Sequence, residues 1–448
     1  MRRRKSVVSR GKVTAVLGLI VIFIIVYAFL TVLEVSSPRG EWVNESSYIG
    51  RDAALKISAS DSGAGLRSIK VFIKKGTKST EIFSEDFSGQ EPVVSDFTDE
   101  IKPDFRKLGI KEGSAVLVLK VTDLSLWFSG NTLQAEYPVE IDITPPRVGV
   151  MSRDHVISIG GSEAVVFKSS PDTVRAAVKI EGRTFPAYRG AFKDKDKFFG
   201  LFSYPYDLKP GKRFQVEAVD AAGNSRVRTL SVLVKPREYR KRRIRLSDEF
   251  LETKVADLLD AANIPETGDL IEDFLHVNKD IRAQNEEKIR SVMKTSRPEI
   301  LWKRSFLQLK NSAVQSRFAD YRTYEYKGRA VDRLYHLGVD LASVSKSRVG
   351  ASNSGIVVFT GDLGLYGNAV IIDHGFGLFS LYGHLSTIDV IEGDTVKRGA
   401  TIGHTGSTGF AGGDHLHFGL YLHGTPVLPL EWWDGRWIRN RIKKKLKE

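Results

Sequence analysis

The chain has 448 residues, is 42% apolar, contains no cysteine and carries a formal charge of +13. That apolar share is ordinary for folded protein and excludes a mainly disordered chain, and the length suggests about three domains at ~150 residues each. Without thiols there is no disulfide framework, no Cys-ligated metal and no cysteine nucleophile, so any metal site has to be built from His, Asp or Glu.

The charge sits at the two ends. Residues 1–12 hold six cations and no acid, residues 435–448 hold seven cations against Glu448, and everything between carries a net +1. An uncharged run at 13–33 follows the first cluster. Its 21 residues make a helix of about 31 Å, enough to cross a bilayer core of ~30 Å. A cleaved signal peptide has an apolar stretch of only ~7–15 residues, and no A-x-A site follows here. The expected arrangement is a basic cytoplasmic tail at 1–12, a transmembrane anchor at 13–33 and the remainder outside the cytoplasm. Charge that flanks a span, with no recognised motif beside it, gives no case for a nucleic-acid partner.

Residues 34–145 are β-rich. Short alternating runs at 54–58, 68–73 and 115–121 are separated by Gly, Asp and Ser clusters. Asp61-Ser62-Gly63-Ala64-Gly65-Leu66 is a turn signal before a strand, and Pro145-Pro146 closes the module. Residues 146–235 repeat the theme, with strand, tight turn and strand at 214–220, 221–224 and 229–234. Both modules resemble bacterial Ig-like β-sandwiches. They are expected to be spacers, and binding of envelope proteins through them is the sharper alternative.

Residues 236–310 form a basic linker and a helical segment. The cationic run from Lys235 to Arg245 is expected to be solvated. Phe250, Leu251, Val255, Leu258, Leu259 and Ala262 then share one helical face behind a capped first turn at Ser247. A second helical pattern runs from Leu270 to Met293, ending near Pro298. These helices precede the last domain and are candidates to cover its groove.

Seven of the nine histidines fall between His336 and His423, which directs attention to metal chemistry. In a strand, His415 and His417 point to one face while Leu416 faces the other way. Two imidazoles in one cleft each need a hydrogen-bond partner or a metal. His336 and Asp340, with His417, would give a His₂Asp set with one open position, leaving His384 and His415 for acid–base work.

An ordered series of motifs covers about 311–434. It runs through Ser316-Arg317-Phe318 with Arg322, His336-Leu337-Gly338-Val339-Asp340, Gly367-Asn368, Ile372-Asp373-His374-Gly375, Leu381-Tyr382-Gly383-His384-Leu385, Gly393-Asp394-Thr395-Val396, the Gly403–Gly409 turn and His415-Leu416-His417-Phe418. In these, the segment resembles the lysostaphin-like (LytM-type) zinc metallopeptidases that cut peptidoglycan cross-bridges. The resemblance implies an antiparallel β-sheet domain, one zinc held by His336, Asp340 and His417, and His384 and His415 handling protons or stabilising the oxyanion. It implies a peptidoglycan endopeptidase, which the anchor expected at 13–33 would hold in the bacterial cytoplasmic (inner) membrane with its catalytic domain on the periplasmic or extracellular side. D-alanyl–diaminopimelate cross-links are the default substrate in a Gram-negative envelope, and glycine bridges are the alternative. Some relatives lack ligands and activate amidases instead, which is the alternative role.

Three departures from the family pattern stand out: Ser347-Arg348-Val349-Gly350-Ala351 in a turn, Ala319 where Gly usually follows Phe, and Gly419 where Glu often stands. His374 is expected to be structural, His404 and His423 to lie at the surface, and His155 and His276 to have no role in the site. Trp432, Trp433 and Trp437 are expected to pack the domain end, and the basic tail at 435–448 to be a solvated helix end within reach of anionic lipid or wall polymer.

Overall fold

The computed structural model describes residues 10–32, 36–44, 46–125 and 129–447. Arg10–Val32 is one helix. Its described side chains, at 15–27, are apolar or glycine and all exposed, a stretch of about 20 Å. Among the described residues no helix is long and apolar enough to cross a membrane, so the span expected at 13–33 is not found there. Residues 1–9 of the basic tail and Leu33 lie outside the described residues.

The chain divides into two compact units, one taking the chain through Pro145 with Asp220–Asn224, the other Pro146–Val219 and the chain from Ser225 onward. In the first, a five-stranded sheet runs in the order Tyr48–Ile49, Thr132–Ile141, Gly113–Asp123, Leu66–Lys75, Lys78–Asp86. A three-stranded sheet runs Arg39–Trp42, Leu55–Ser60, Asp96–Ile101. The three runs predicted from alternation coincide with these strands, the first starting one residue early. Ile57, Ile69, Val71, Leu117, Leu119 and Val121 share one core, so two sheets close over it. The Asp61 turn is tied by its own carboxylate, which accepts from Gly63 N at 3.2 Å and Gly65 N at 2.6 Å.

The second unit begins with a seven-stranded sheet ordered Ser225–Leu230, Phe214–Asp220, Thr173–Ile180, Arg183–Tyr188, Lys197–Ser203, Ser162–Ser169, Val148–Val150. A parallel ribbon, Val156–Ser158 with Leu233–Lys235, lies beside it. This module is no free spacer. Its core is continuous with that of the following domain: Phe376 packs on Phe199 and Tyr188 at centroid distances of 5.3 and 5.4 Å. Apolar side chains such as these give no sequence signal of which sheet they will meet.

The cationic run is also more than a linker. Lys241–Arg245 is a strand, parallel to Tyr321–Tyr326, which pairs in turn with Arg329–Tyr335. The Arg240 guanidinium grips the buried Asp320 carboxylate at 3.1 and 2.5 Å. The helices then form as the apolar spacing predicts. Ser247 caps the first by accepting from Phe250 N at 3.2 Å, and Asp269 caps the second by accepting from Ile271 N at 2.8 Å. Each continues through a π-helical turn, Leu251–Val255 and His276–Ile281, before Ala256–Ala261 and Arg282–Val292.

The largest sheet carries the histidine cluster. Its main path runs Ala313–Ser316, Val339–Ala342, Leu416–Leu422, Leu378–Ile388, Asn368–Asp373, Gly355–Asp362, Thr395–Val396. Trp432 is fully buried and packs against Trp302, Phe306 and Trp437 at 5.5, 5.6 and 5.4 Å, while Trp433 stacks on Phe418 at 5.6 Å. The predicted role of the tryptophans therefore holds.

The basic tail is not solvated throughout: Lys444 and Lys447 are exposed, but Lys445 is not. Lys445 is 3% exposed. Its ammonium donates to Glu163 Oε1 at 2.7 Å, His155 Nδ1 at 2.9 Å and Ala164 O at 3.0 Å. Glu163 is wholly buried, and burial pushes its carboxyl up against the pull of Lys445. His155 is thus a structural partner, held neutral by burial and the lysine charge, which lower its pKa to about 4. Composition marks the tail as solvated because a partner 282 residues away leaves no local pattern. Lys445→Met removes the nearer counter-ion of the buried Glu163, leaving only Arg441 Nη1 at 3.9 Å, and should cost about 3–5 kcal/mol in urea unfolding. Adding Glu163→Gln should restore part of that loss; additive losses would mean that the pair is not the cause.

Glu431 ties the same two layers. Its carboxyl accepts from Ser162 N at 2.7 Å, and a Cβ on Gly161 would come within 2.5 Å of it. Burial pushes the Glu431 carboxyl up to about 8. Because the folded value lies above the ordinary one near 4.3, the folded chain holds this proton more tightly than the unfolded one. Its stabilising contribution is complete below about pH 4 and falls as pH rises toward about 8. Glu431→Gln should flatten the decline of the urea midpoint across that window. Equal slopes in the two proteins would remove the assignment.

Candidate metal centre

Three adjacent strands set the site. Asp340 on Val339–Ala342 lies opposite His417 on Leu416–Leu422, and His417 lies opposite Gly383 on Leu378–Ile388. His415 and His417 share a face, as the i, i+2 spacing predicts. A bulge follows Gly383, where the pairing slips between Asn368 and Val370. The extra residue there is His384, held at φ +62°. A bulge re-aims a side chain, and this one brings His384 to 4.8 Å from the His415 ring and 5.9 Å from His417. A non-glycine residue in the left-handed region is strained, and such strain clusters at working sites.

The donor atoms converge. His336 Nε2 lies 2.9 Å from Asp340 Oδ1, His417 Nδ1 lies 3.0 Å from the same oxygen, and the two nitrogens are 3.1 Å apart. All three residues are buried. Burial works to raise the Asp340 carboxyl, but His336 and His417 outweigh it and hold it well below the usual carboxylate range. Burial lowers His336 to about 4. The set is therefore one carboxylate and two neutral imidazoles, the protonation a cation needs. Zinc with ligands at ~2.0–2.1 Å keeps them roughly 3.3 Å apart, so the three atoms fit one ion with little movement.

The surroundings hold each ligand. His336 Nδ1 donates to Arg317 O at 3.2 Å, which leaves Nε2 as the ligand nitrogen. Arg322 donates to Asp340 Oδ2 at 2.7 Å, turning Oδ1 to the histidines. Tyr366 packs edge-on against His417 at 5.2 Å. Gly338 has no room for a side chain, since a Cβ would lie 2.5 Å from His417 Nε2. His384 and His415 each commit Nδ1 to a carbonyl at 2.8 Å, Thr408 O and Gly413 O respectively, leaving Nε2 uncommitted. His415 Nε2 is 3.7 Å from Asp340 Oδ1. Burial, then the charges of His415 and His417, lower His384 to about 3.

The other histidines stay away from this centre. His374 is fully buried and bonded through both nitrogens, to Ser354 O at 2.8 Å and Ser380 Oγ at 2.7 Å. His404 is partly exposed beside Thr387. His276 pairs with Asp280 at 2.9 Å. His423 departs from expectation: it is half-buried, with Tyr188 stacked on it at 5.9 Å, and burial lowers it to about 4. Of the sequence departures, one carries backbone strain and one gains a physical reason. Ala319 sits at φ +57°, where glycine is unstrained. Gly419 makes room for Tyr421, whose ring would lie 2.6 Å from a Cβ.

A cavity of about 330 Å³ opens on the cluster. His336, Asp340, His384, His415 and His417 line it from the sheet, while Leu246, Phe250 and Arg282 line it from the helical segment. Phe250 meets Phe410 edge-on at 5.1 Å, and Lys254 donates to Ser407 O at 3.1 Å. The helices so form one wall of the groove. Sequence reasoning placed them near it and put Phe250 on their apolar face, but named neither Leu246 nor Arg282 as wall residues, nor Arg322 as the partner of Asp340. The arginine's place in the first motif was the available signal.

Residues 334–429 match Peptidase family M23. Over 95 residues the chain is 44% identical to the DD-carboxypeptidase/endopeptidase Mpg of Neisseria meningitidis, covering 21% of this chain and 22% of that protein. Over 92 residues it is 42% identical to the peptidoglycan DD-endopeptidase ShyA of Vibrio cholerae, covering 20% and 21%. The match thus spans about a fifth of each relative. Among solved structures, the catalytic domain of lysostaphin from Staphylococcus simulans is 29% identical, covering 29% of this chain and 98% of that one, with a TM-score of 0.25.

Proposed function

We propose, from the peptidase M23 domain that this chain carries, that it is a zinc metalloendopeptidase hydrolysing peptide cross-links of peptidoglycan. The observation that carries the reading is the convergence of His336 Nε2, Asp340 Oδ1 and His417 Nδ1 within 3.1 Å, with His384 and His415 beside them. Zinc held there supplies Lewis acidity, which polarises a peptide carbonyl and makes water acidic near neutral pH. Arg322 keeps Asp340 turned to the site. His384 enters with its ring fixed by the hydrogen bond from Nδ1 to Thr408 O. Its uncommitted Nε2 and that of His415 accept the proton released by water and return it to the leaving amine.

The same proposal places the chain in the bacterial cytoplasmic membrane through residues 13–33, with the peptidase on the outer side. What supports this is the length of the uncharged run and the six cations before it. The two β modules, in this reading, are Ig-like. Purified sacculi of known chemistry, digested with the full chain in detergent and analysed by mass, test the function. Release of cross-link cleavage products is expected. Intact cross-links, with zinc bound, would instead favour a peptidase-like activator of amidases.

A further inference from the structure

Arg282 is the one arginine of the Arg282–Val292 helix that lines the cavity. It lies outside the segment matched to the peptidase family. Its guanidinium is held in place: Nε donates to Asn278 O at 3.1 Å and Nη2 to Asn278 Oδ1 at 2.7 Å. Asn278 is wholly buried and anchored in turn, donating to Asp332 Oδ2 at 2.8 Å. None of these bonds neutralises the arginine. Among the described residues no carboxylate pairs with it; Glu286, one turn on, feels its charge without forming an ion pair.

The rest of the lining sharpens the imbalance. Arg245 also faces the cavity and has no ion-pair partner among the described residues, while Asp340, the one carboxylate in the lining, already engages Arg322 and the histidines. A preformed, unpaired guanidinium beside a reaction centre suits a substrate carboxylate, bound by charge-assisted hydrogen bonds. In a D-alanyl–diaminopimelate cross-link, the carbon bearing the scissile nitrogen also bears a carboxylate.

We propose that Arg282 is a specificity-determining residue that binds the carboxylate next to the scissile amide, so that the helical segment selects the substrate. This rests on the endopeptidase reading of the same site. Binding and cleavage are therefore measured separately, with a fluorescent cross-linked peptide dimer containing the D-alanyl–diaminopimelate bond. A second probe carries a carboxamide in place of that carboxylate. The zinc-loaded full chain should bind the carboxylate probe about ten-fold more tightly, a difference of about 1.4 kcal/mol. In Arg282→Gln that preference should fall to about two-fold or less, and Arg282→Lys should retain part of it. Zinc content should be equal in all three proteins. Equal binding of the two probes by the unaltered chain, or a full preference surviving in Arg282→Gln, would overturn the proposal; the first comparison needs no variant to fold. Preferential binding without any cleavage would instead sink the endopeptidase reading and leave the carboxylate site standing.

Discussion

His417→Ala empties the metal site: bound zinc, measured by elemental analysis after dialysis, should fall from about one per chain to below a tenth, and turnover with it. His417 is the residue at which the arrangement meets. Its Nδ1 lies 3.0 Å from Asp340 Oδ1 and 3.1 Å from His336 Nε2. Its strand joins the strand of Asp340 to the strand that leads to His384. Changes to mere outer-shell partners cost roughly 10–100-fold in metal affinity, so loss of one ligand out of three should exceed that. Alanine also leaves a void beside Tyr366 and Gly338, and some loss of stability should accompany the loss of metal. A variant that keeps about one zinc per chain after dialysis would show that His417 is not a ligand.

His384→Ala separates chemistry from metal binding. Turnover should drop by about 10²–10⁴, the range for a general acid–base group, while zinc stays near one per chain. His384 stands outside the three-atom cluster, yet its ring lies within 5.9 Å of His417 and 4.8 Å of His415. Alanine at φ +62° keeps the backbone strain but loses the hydrogen bond to Thr408 O. His384→Gln, which offers an amide without a base, should be nearly as slow. Adding His415→Ala to His384→Ala should cost less than the product of the two single losses, because the groups act on one proton path. Full cleavage by His384→Ala would assign the proton work elsewhere.

Much of the site was legible in the sequence because its geometry is local. An i, i+2 pair in a strand shares a face wherever the strand lies, so His415 and His417 could be placed together before any fold was known. His336 and Asp340 needed the motif series, because their meeting with His417 is a pairing across strands. The bulge that turns His384 inward left no local mark. Alternating runs located the strands of the first unit, and apolar spacing with Ser247 and Asp269 located the helices. What failed were charged segments whose partners lie far along the chain. Lys241–Arg245 is solvated as expected but is a strand paired with Tyr321–Tyr326 rather than a linker; Lys445 looks solvated and is buried against Glu163. Charge density reports the cost of burial, but it is silent on whether a distant partner offsets it.

That buried pair also sets an order of events during synthesis. Glu163 belongs to a sheet whose strands are all made by residue 230, yet its counter-ion arrives 282 residues after it. At about 5–20 residues per second, the ribosome needs roughly 15–60 s to supply it. Throughout that interval the Glu163 carboxyl lacks the ammonium that donates to it in the finished fold. The last contact of the scaffold behind the cleft thus forms only after every residue of the cleft has been made.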